Sequence, residues 1–320
     1  MPPRMLERGV LKGYKSFRDI DLSLEPVNVL IGANGSGKSN FISLFKLLNR
    51  IVEESLQVHV AQNGGADQIL HYGRKTTDQI EITLWFKRDD LANGYSCTLI
   101  PAEDTLLIKS ESTWFHDRRH YSKPYLDRSD DRLKPESSLG RWTRDDRVSR
   151  YVYQAMRSWR LYHFHDTSES ARVRLPCDIH DNQSLHPEGA NLAAYLYLLR
   201  ERYTDHYRAI VETVRLVAPF FGDFVLRPSP YNPEKIRLEW KERGSDAIFG
   251  PGAFSDGTLR FICLATLFLQ PVAKMPATIV LNEPELGLHP YAIKLLSEMI
   301  RSVAHQVQSI LSNQSVTLIN

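Results

Sequence analysis

Hydrophobic and polar residues along this chain change period several times, and each change marks a predicted element. Residues 5–24 read as two short strands around a turn: the stretch 9–17 leads into Ile20-Asp-Leu-Ser-Leu24, which alternates with a period of two. Pro26 breaks the pattern, and the apolar run 27–31 predicts a short strand of the buried type. After a glycine-rich turn, Phe41, Leu44, Phe45, Leu48, Ile51 and Val52 recur at helical spacing and predict a helix over 40–54. The order there is strand, glycine turn, helix. Further strands are predicted at 79–86, 95–100, 105–108 and 236–240. The segment 188–221 predicts one or two helices, ended by Pro219 and Gly222. An apolar helix over 258–270, a buried strand at 278–281, a helix over 291–305 and the start of another buried strand from 307 complete the pattern.

The stretch 114–150 is different. Arg, Asp, Ser and Pro dominate, periodicity fades, and a long surface excursion, partly loop, is predicted. Arg118, Arg119, Arg128, Arg132, Arg141, Arg144 and Arg147 sit among the aromatics Trp114, Phe115, Tyr121 and Trp142. Two readings stand: a solvated mixed-charge face, the commoner meaning of such a composition, and a strip that contacts DNA.

Composition narrows the class. A formal net charge of +2 does not suggest a nucleic-acid coat, although it allows a local basic patch. Cys97, Cys177 and Cys263 are scattered with no CxxC, which indicates neither a zinc ribbon nor a disulfide framework and fits a reducing cytosol. Residues 1–10 carry charges and two prolines and have no apolar core of a secretory signal. The most apolar segment, 259–269, contains Arg260 and is too short to span a bilayer. The expectation is a cytoplasmic protein without a membrane partner.

The glycine turn carries the most specific chemistry. Gly32-Ala-Asn-Gly-Ser-Gly-Lys-Ser39 matches G-x-x-x-x-G-K-[ST] at every fixed position, between a strand and a helix as the motif requires. Glycines let the backbone curl around phosphates, and the exposed N–H groups and helix N-terminus face negative charge. Asn34, Gly35, Ser36, Gly37, Lys38, Ser39 and Asn40 are therefore assigned to ATP, with Lys38 reaching the β- and γ-phosphates and the Ser39 hydroxyl placed for Mg²⁺. Far downstream, Phe254-Ser-Asp-Gly-Thr-Leu-Arg-Phe261 introduces an apolar helix, and the strand 278–281 runs into Asn282-Glu-Pro-Glu-Leu-Gly-Leu-His-Pro290. A carboxylate at the end of a buried strand is well placed for chemistry on a phosphate, so Glu283 is the candidate to orient and activate water.

Taken together, these segments resemble the ABC ATPases of the SMC/RecF and OLD type, and more narrowly the AAA_21 group. The similarity rests on Gly13-Tyr-Lys-Ser-Phe17, the P-loop, His163-Phe-His-Asp-Thr-Ser168, Asn191-Leu-Ala-Ala-Tyr195, Ala218-Pro-Phe-Phe221, Ser255-Asp-Gly-Thr-Leu-Arg260 and Glu283-Pro-Glu-Leu-Gly-Leu-His-Pro290. The resemblance implies an α/β P-loop head with an antiparallel β lobe and a helical insertion lobe. It implies a single head over 1–320, with a P-loop and sheet lobe at 1–110, a helical insertion at 111–235, and signature, Walker B and switch at 236–320. Ser255 and Gly257 become the signature that caps the γ-phosphate of ATP held by the opposite protomer, and 286–289 the D-loop that crosses the interface. His289 before Pro290 is equally an ordinary turn residue.

Two positions depart from the family pattern. Asn282 stands where a Walker B Asp holds Mg²⁺ through water; an amide is still an oxygen ligand but lacks the charge a hard cation favours. The switch position, usually His, falls on Gln314. The Q-loop glutamine is open among Gln62, Gln68 and Gln79. The resemblance implies a homodimer that sandwiches ATP, hydrolyses it slowly, and regulates a nuclease, another effector or DNA in repair or anti-phage defence. The alternative is an ATP-responsive switch with little hydrolysis because of Asn282. The departure from the standard LSGGQ signature argues against a transporter subunit.

Overall fold

The structure, a computed structural model, describes residues 5–33, 35–88 and 90–313. β1 (Leu6–Tyr14) and β2 (Phe17–Ser23) form a hairpin, and β3 (Val27–Ile31) leads through the glycine turn to α1 (Lys38–Val52) and α2 (Leu56–Gln62). Four long antiparallel strands follow: β4 (Ile80–Arg88), β5 (Leu91–Ala102), β6 (Thr105–Asp117) and β7 (Tyr125–Asp130). Next come α3 (Leu139–Trp142), α4 (Arg147–Arg157), β8 (Trp159–Tyr162) and β9 (Cys177–Asp178). The helices α5 (Leu192–Arg202) and α6 (Thr204–Val217) precede five short strands, β10 (Phe221–Val225), β11 (Pro228–Ser229), β12 (Asn232–Ile236), β13 (Glu239–Glu242) and β14 (Ile248–Phe249). The chain continues through α7 (Asp256–Leu269), β15 (Thr278–Asn282), α8 (Pro290–Val303) and β16 (Gln308–Asn313).

Two sheets organise the molecule. One is antiparallel and six-stranded, in the order β2-β1-β4-β5-β6-β7. The other is parallel and four-stranded, in the order β3-β16-β15-β8. The parallel sheet is covered on both faces, as such sheets require. Val280 and Ile310 join the core formed by α1, α4 and the antiparallel sheet, whereas Ile279, Leu281 and Leu311 join the core of α5 to α8. Period-two alternation along β15 thus serves two different cores. Trp159, fully buried on β8, seals the first of them, with its ring 5.2 Å from Phe45 and 6.0 Å from Phe86. Gln308 ties the two sheets together. Its buried amide accepts from the Leu6 N–H at 3.0 Å and donates to the Leu6 carbonyl at 2.8 Å.

The surface excursion expected over 114–150 is partly loop, but it also holds regular structure and core residues. β6 continues to Asp117, β7 adds the outer edge of the sheet, and α4 packs on β5 and β6. Trp114 and Trp142 are both 7% exposed, so they are core residues of this region. The polar composition hid α4 because its buried stripe is narrow and modest, made of Ser149, Val152, Ala155 and Met156. Asp146 caps it, accepting from the N–H groups of Val148 at 3.2 Å and Ser149 at 2.5 Å. Three of these arginines pair with acids: Arg119 with Asp117 and Arg132 with Asp130 close by in sequence, and Arg118 with the distant Glu7. The strand expected at 236–240 is two strands, β12 and β13, which belong to different small sheets. The segment 188–221 resolves into α5 and α6, broken at Tyr203, and its end enters β10. Among the described residues, no helix is long and apolar enough to cross a membrane.

Candidate functional site: a phosphate-binding edge of the parallel sheet

Ligand sites of open parallel sheets lie beyond the carboxyl ends of their strands. Here three such ends matter. β3 delivers the P-loop, β15 delivers Asn282 and Glu283, and β8 delivers 163–168. The register fixes their levels: Leu30 pairs with Ser312, and Ser312 with Asn282. With about 4.8 Å between strands, the P-loop strand and the Glu283 strand end roughly 10 Å apart on the same edge. Asn34 and Gln314, assigned to ATP and to the switch, lie outside the described residues.

The P-loop has the backbone that phosphate binding demands. Gly35 and Gly37 take φ values of 82° and 95°, in the left-handed region, and Gly37 immediately precedes α1. A Cβ on Gly37 would come within 3.0 Å of the Ser16 Oγ, so the β1–β2 turn forms one wall of the loop. Asn40 holds that wall in place, its amide donating to the Ser16 Oγ at 2.9 Å. The first turn of α1 has no side-chain cap, which leaves its N–H groups for an anion. The Lys38 ammonium lies over the loop, donating to the carbonyls of Gly32 and, at 3.0 Å, Ala33. Ser36 and Ser39 are exposed. A cavity of about 700 Å³ opens beside this loop, lined by Lys15, Ser16, Asn40, Tyr72 and Arg74 among others. Lys15 also donates to the Ser43 Oγ at 3.1 Å, and burial, then the neighbouring Lys46, pushes its ammonium below the usual range.

Glu283 is built into a strained turn. Its backbone takes φ 45°, a left-handed conformation that costs a non-glycine residue on the order of 1 kcal/mol or more and is concentrated at functional sites. The Glu283 N–H donates to the Ser312 carbonyl at 2.8 Å, so β16 anchors the turn. The Ser312 hydroxyl donates to the Asn282 Oδ1 at 2.6 Å, which turns the Asn282 Nδ2 toward the His165 Nε2, 3.5 Å away. His165, Arg260, Asn282 and Glu283 line one small pocket. Burial and the Arg260 cation push the His165 imidazole below its ordinary range, against the pull of the Glu283 carboxylate.

His165 is the residue that sequence reasoning missed. None of the three candidate glutamines lines this pocket: Gln62 ends α2, Gln68 lines the cavity beside the P-loop, and Gln79 donates to Glu81 at 2.6 Å. The available signal was the run 163–168, which follows a strand too short to be seen. Arg260 is the second such residue. It donates to the Leu286 carbonyl at 2.9 Å and to the His165 carbonyl at 2.7 Å, joining α7, the turn 286–289 and the β8 exit.

The signature residues do not line the cavity beside the P-loop. Ser255 is the N-cap of α7, accepting from the Thr258 N–H at 3.2 Å, and is exposed together with Asp256. Gly257 is a glycine for a packing reason: a Cβ there would come within 2.5 Å of the Gly287 carbonyl oxygen. The cavity of about 810 Å³ beside Ser255 shares no lining residue with the cavity beside the P-loop. His289 caps α8, accepting from the Tyr291 N–H at 3.3 Å, with Pro290 in the first turn as helix starts favour.

The donors present suit magnesium. Among the described residues no group of three or more His, Cys, Asp or Glu side chains gathers as a transition-metal site would. An exposed Ser39 hydroxyl and an Asn282 amide oxygen are hard oxygen donors, few in number, as expected where substrate phosphates and water complete the shell.

Known proteins agree with this geometry. The chain matches the family described as AAA domain, putative AbiEii toxin, Type IV TA system, over residues 27–83 and 100–320. It is 24% identical over 319 residues to the OLD nuclease of Thermus scotoductus, covering 92% of this chain and 56% of that protein. It is 31% identical over 101 residues to the DNA replication and repair protein RecF of Cronobacter sakazakii, covering 31% of this chain and 28% of RecF. The chain therefore spans little more than half the length of one curated relative and under a third of the other. Two solved structures share the fold. An SmcHead bound to the C-winged helix domain of ScpA gives a TM-score of 0.60 at 16% identity, covering 98% of this chain and 90% of that one. The Smc head domain bound to the C-terminal domain of ScpA from Pyrococcus furiosus gives 0.56 at 16% identity, covering 100% and 91%. The chain belongs to the AAA_21 family and has the P-loop fold of an OLD-like, SMC/RecF-type ABC ATPase.

Proposed function

We propose that this chain is an ATP-hydrolysing head that closes on a second copy of itself, head to tail, around two ATP molecules. The observation that carries the reading is the shared sheet edge, where an uncapped helix N-terminus with its lysine faces a strained Glu283 across one intervening strand. In this reading the P-loop amides and Lys38 grip the triphosphate, and Glu283 orients water and takes its proton. Ser39 and Asn282 would hold Mg²⁺, which supplies charge neutralisation on the phosphates. Gln314 would serve as the switch residue. That neither Ser255 nor Gly257 lines the cavity beside the P-loop supports their use by the partner's nucleotide. Steady-state phosphate release with Mg²⁺ tests the chemistry: turnover no higher than that of a Glu283→Gln variant overturns hydrolysis. Light scattering of that variant with ATP tests the dimer, and a persistent monomer refutes pairing with itself.

A second reading keeps ATP binding and dimerisation but reduces hydrolysis to near zero. It rests on Asn282, whose neutral amide holds Mg²⁺ less firmly than a carboxylate. Asn282→Asp should then raise turnover, and an unchanged rate retires that argument. The relatives' names motivate a last part of the proposal, that closure controls DNA or a nuclease-type effector. Gel shifts across a salt series, with Arg141 and Arg144 changed to Ala, test the DNA contact; unchanged affinity removes 114–150 from it.

A further inference from the structure

Arg174 is used by nothing described so far, yet it is a charged side chain that is only 9% exposed. It ends a single helical turn, Arg172–Arg174. Its Nε donates to the Thr167 carbonyl at 2.8 Å. Its Nη1 donates to the Pro251 carbonyl, and its Nη2 to the Phe254 carbonyl at 3.4 Å and the Asp256 Oδ1 at 3.0 Å. Pro251 and Phe254 bracket the turn that runs into Ser255. One guanidinium therefore holds both ends of the approach to the signature and the carboxylate inside it. A planar fork of five donors can do this; an ammonium cannot.

The electrostatics give the arrangement a purpose. The start of α7 presents N–H groups to an anion, but Asp256 adds a negative charge at the same point, and its side chain is 64% exposed. Left alone, that carboxylate would repel a phosphate. Arg174 offsets it while fixing the Ser255 turn. The other end of Arg174 reaches Thr167, in the run 163–168 whose His165 lies against Asn282. The same loop thus touches the Glu283 pocket of its own head and the signature offered to the partner.

We propose that Arg174 is a positioning residue that sets the signature turn for the partner's γ-phosphate and ties it to the Glu283 pocket through 163–168. This inference rests on the head-to-tail reading above. The residue acts in trans, so its loss leaves nucleotide binding to its own P-loop intact and weakens closure.

The experiment starts from Glu283→Gln protein and compares it with Glu283→Gln/Arg174→Met and Glu283→Gln/Arg174→Lys. ATP affinity of the monomers is measured by calorimetry at low protein concentration, and the ATP-dependent dimer constant by sedimentation. Expected are monomer affinities within about twofold of one another, a dimer constant at least tenfold weaker for Met, and an intermediate value for Lys. Failure of the Glu283→Gln parent to dimerise would sink the head-to-tail reading itself. A dimerising parent with equally tight Met and Lys variants would overturn the role of Arg174 alone. If the Met variant is poorly folded, the Lys variant decides by the same comparison. Mixing Arg174→Met with Lys38→Ala heads adds a readout that simple destabilisation would not move. With Glu283→Gln in both heads, the mixed dimer contains one composite site with an intact P-loop on one head and an intact signature on the other, and ATP should drive mixed dimers at a protein concentration where each variant alone stays largely monomeric. No mixed dimers would overturn action in trans.

Discussion

Replacing Gly257 with Ala tests the contact between α7 and the turn that crosses in front of it. The added methyl would lie 2.5 Å from the Gly287 carbonyl oxygen, a backbone atom that cannot swing aside as a side-chain tip would. Ordinary carbon contacts begin near 3.5 Å, so one backbone segment must retreat by roughly 1 Å. Overpacking of this kind costs about 1–3 kcal/mol. Alanine regains at most about 1 kcal/mol of helix propensity, and less in the first turn, where Gly257 sits. The net expectation is a loss of about 1–2 kcal/mol, which lowers Tm by about 2–3 °C for a chain of this size. Gly252→Ala is the control, because nothing lies within 4 Å of its added methyl, and it should stay within about 0.5 kcal/mol of the parent. Calorimetry reads the stability, and hydrogen exchange across 284–289 reads the displaced turn. A Gly257→Ala protein as stable as the parent, with unaltered exchange there, would refute the close approach.

Other expectations follow from single groups. Lys38→Ala removes the cation that lies over the P-loop carbonyls and should abolish ATP binding by calorimetry while leaving the melting temperature of nucleotide-free protein nearly unchanged. Trp159→Ala should cost about 3–5 kcal/mol, whereas Trp159→Phe should cost far less, because the indole N–H is buried without a hydrogen-bond partner; equal losses in urea titrations would contradict that account. Burial, then the Lys46, Lys15 and Arg50 cations, pushes the His59 imidazole down to about 4 from 6.5, so the unfolded chain binds the extra proton first. The stability due to a neutral His59 is complete above pH 6.5, declines as pH falls toward 4, and is flat below. The pH-stability curve of His59→Gln should lack that component, and parallel curves would exclude it.

The parts of the fold that were legible in sequence are those in which a local pattern is also a physical requirement. The P-loop was legible because left-handed glycines, a lysine and a strand-to-helix junction must sit at fixed spacing. β15 was legible because both of its faces are buried. β8 was not, since four residues, Trp-Arg-Leu-Tyr, carry no period, and with it went the identity of the residue beside Asn282. His165 and the glutamines cannot be told apart without knowing which strand end lies next to β15. The six-stranded sheet was traced only in part, because Trp114 and Trp142 lie in a polar stretch whose charges find partners at a distance: Lys134 reaches Glu111 at 2.9 Å, and Arg118 reaches Glu7. Gly257 was noted for the turn it begins. Its close neighbour, Gly287, is set by tertiary packing alone.

The strand order has a bearing on synthesis. β3 and β15 are not neighbours; β16 lies between them, and Gln308 at its start also ties down Leu6. A nascent chain therefore displays the whole glycine turn for most of its time on the ribosome without a floor beneath it. Any product ending before residue 308 would keep the nucleotide fingerprint but lack the strand that seams its two halves, leaving the Val and Ile edges of β3 and β15 unpaired there.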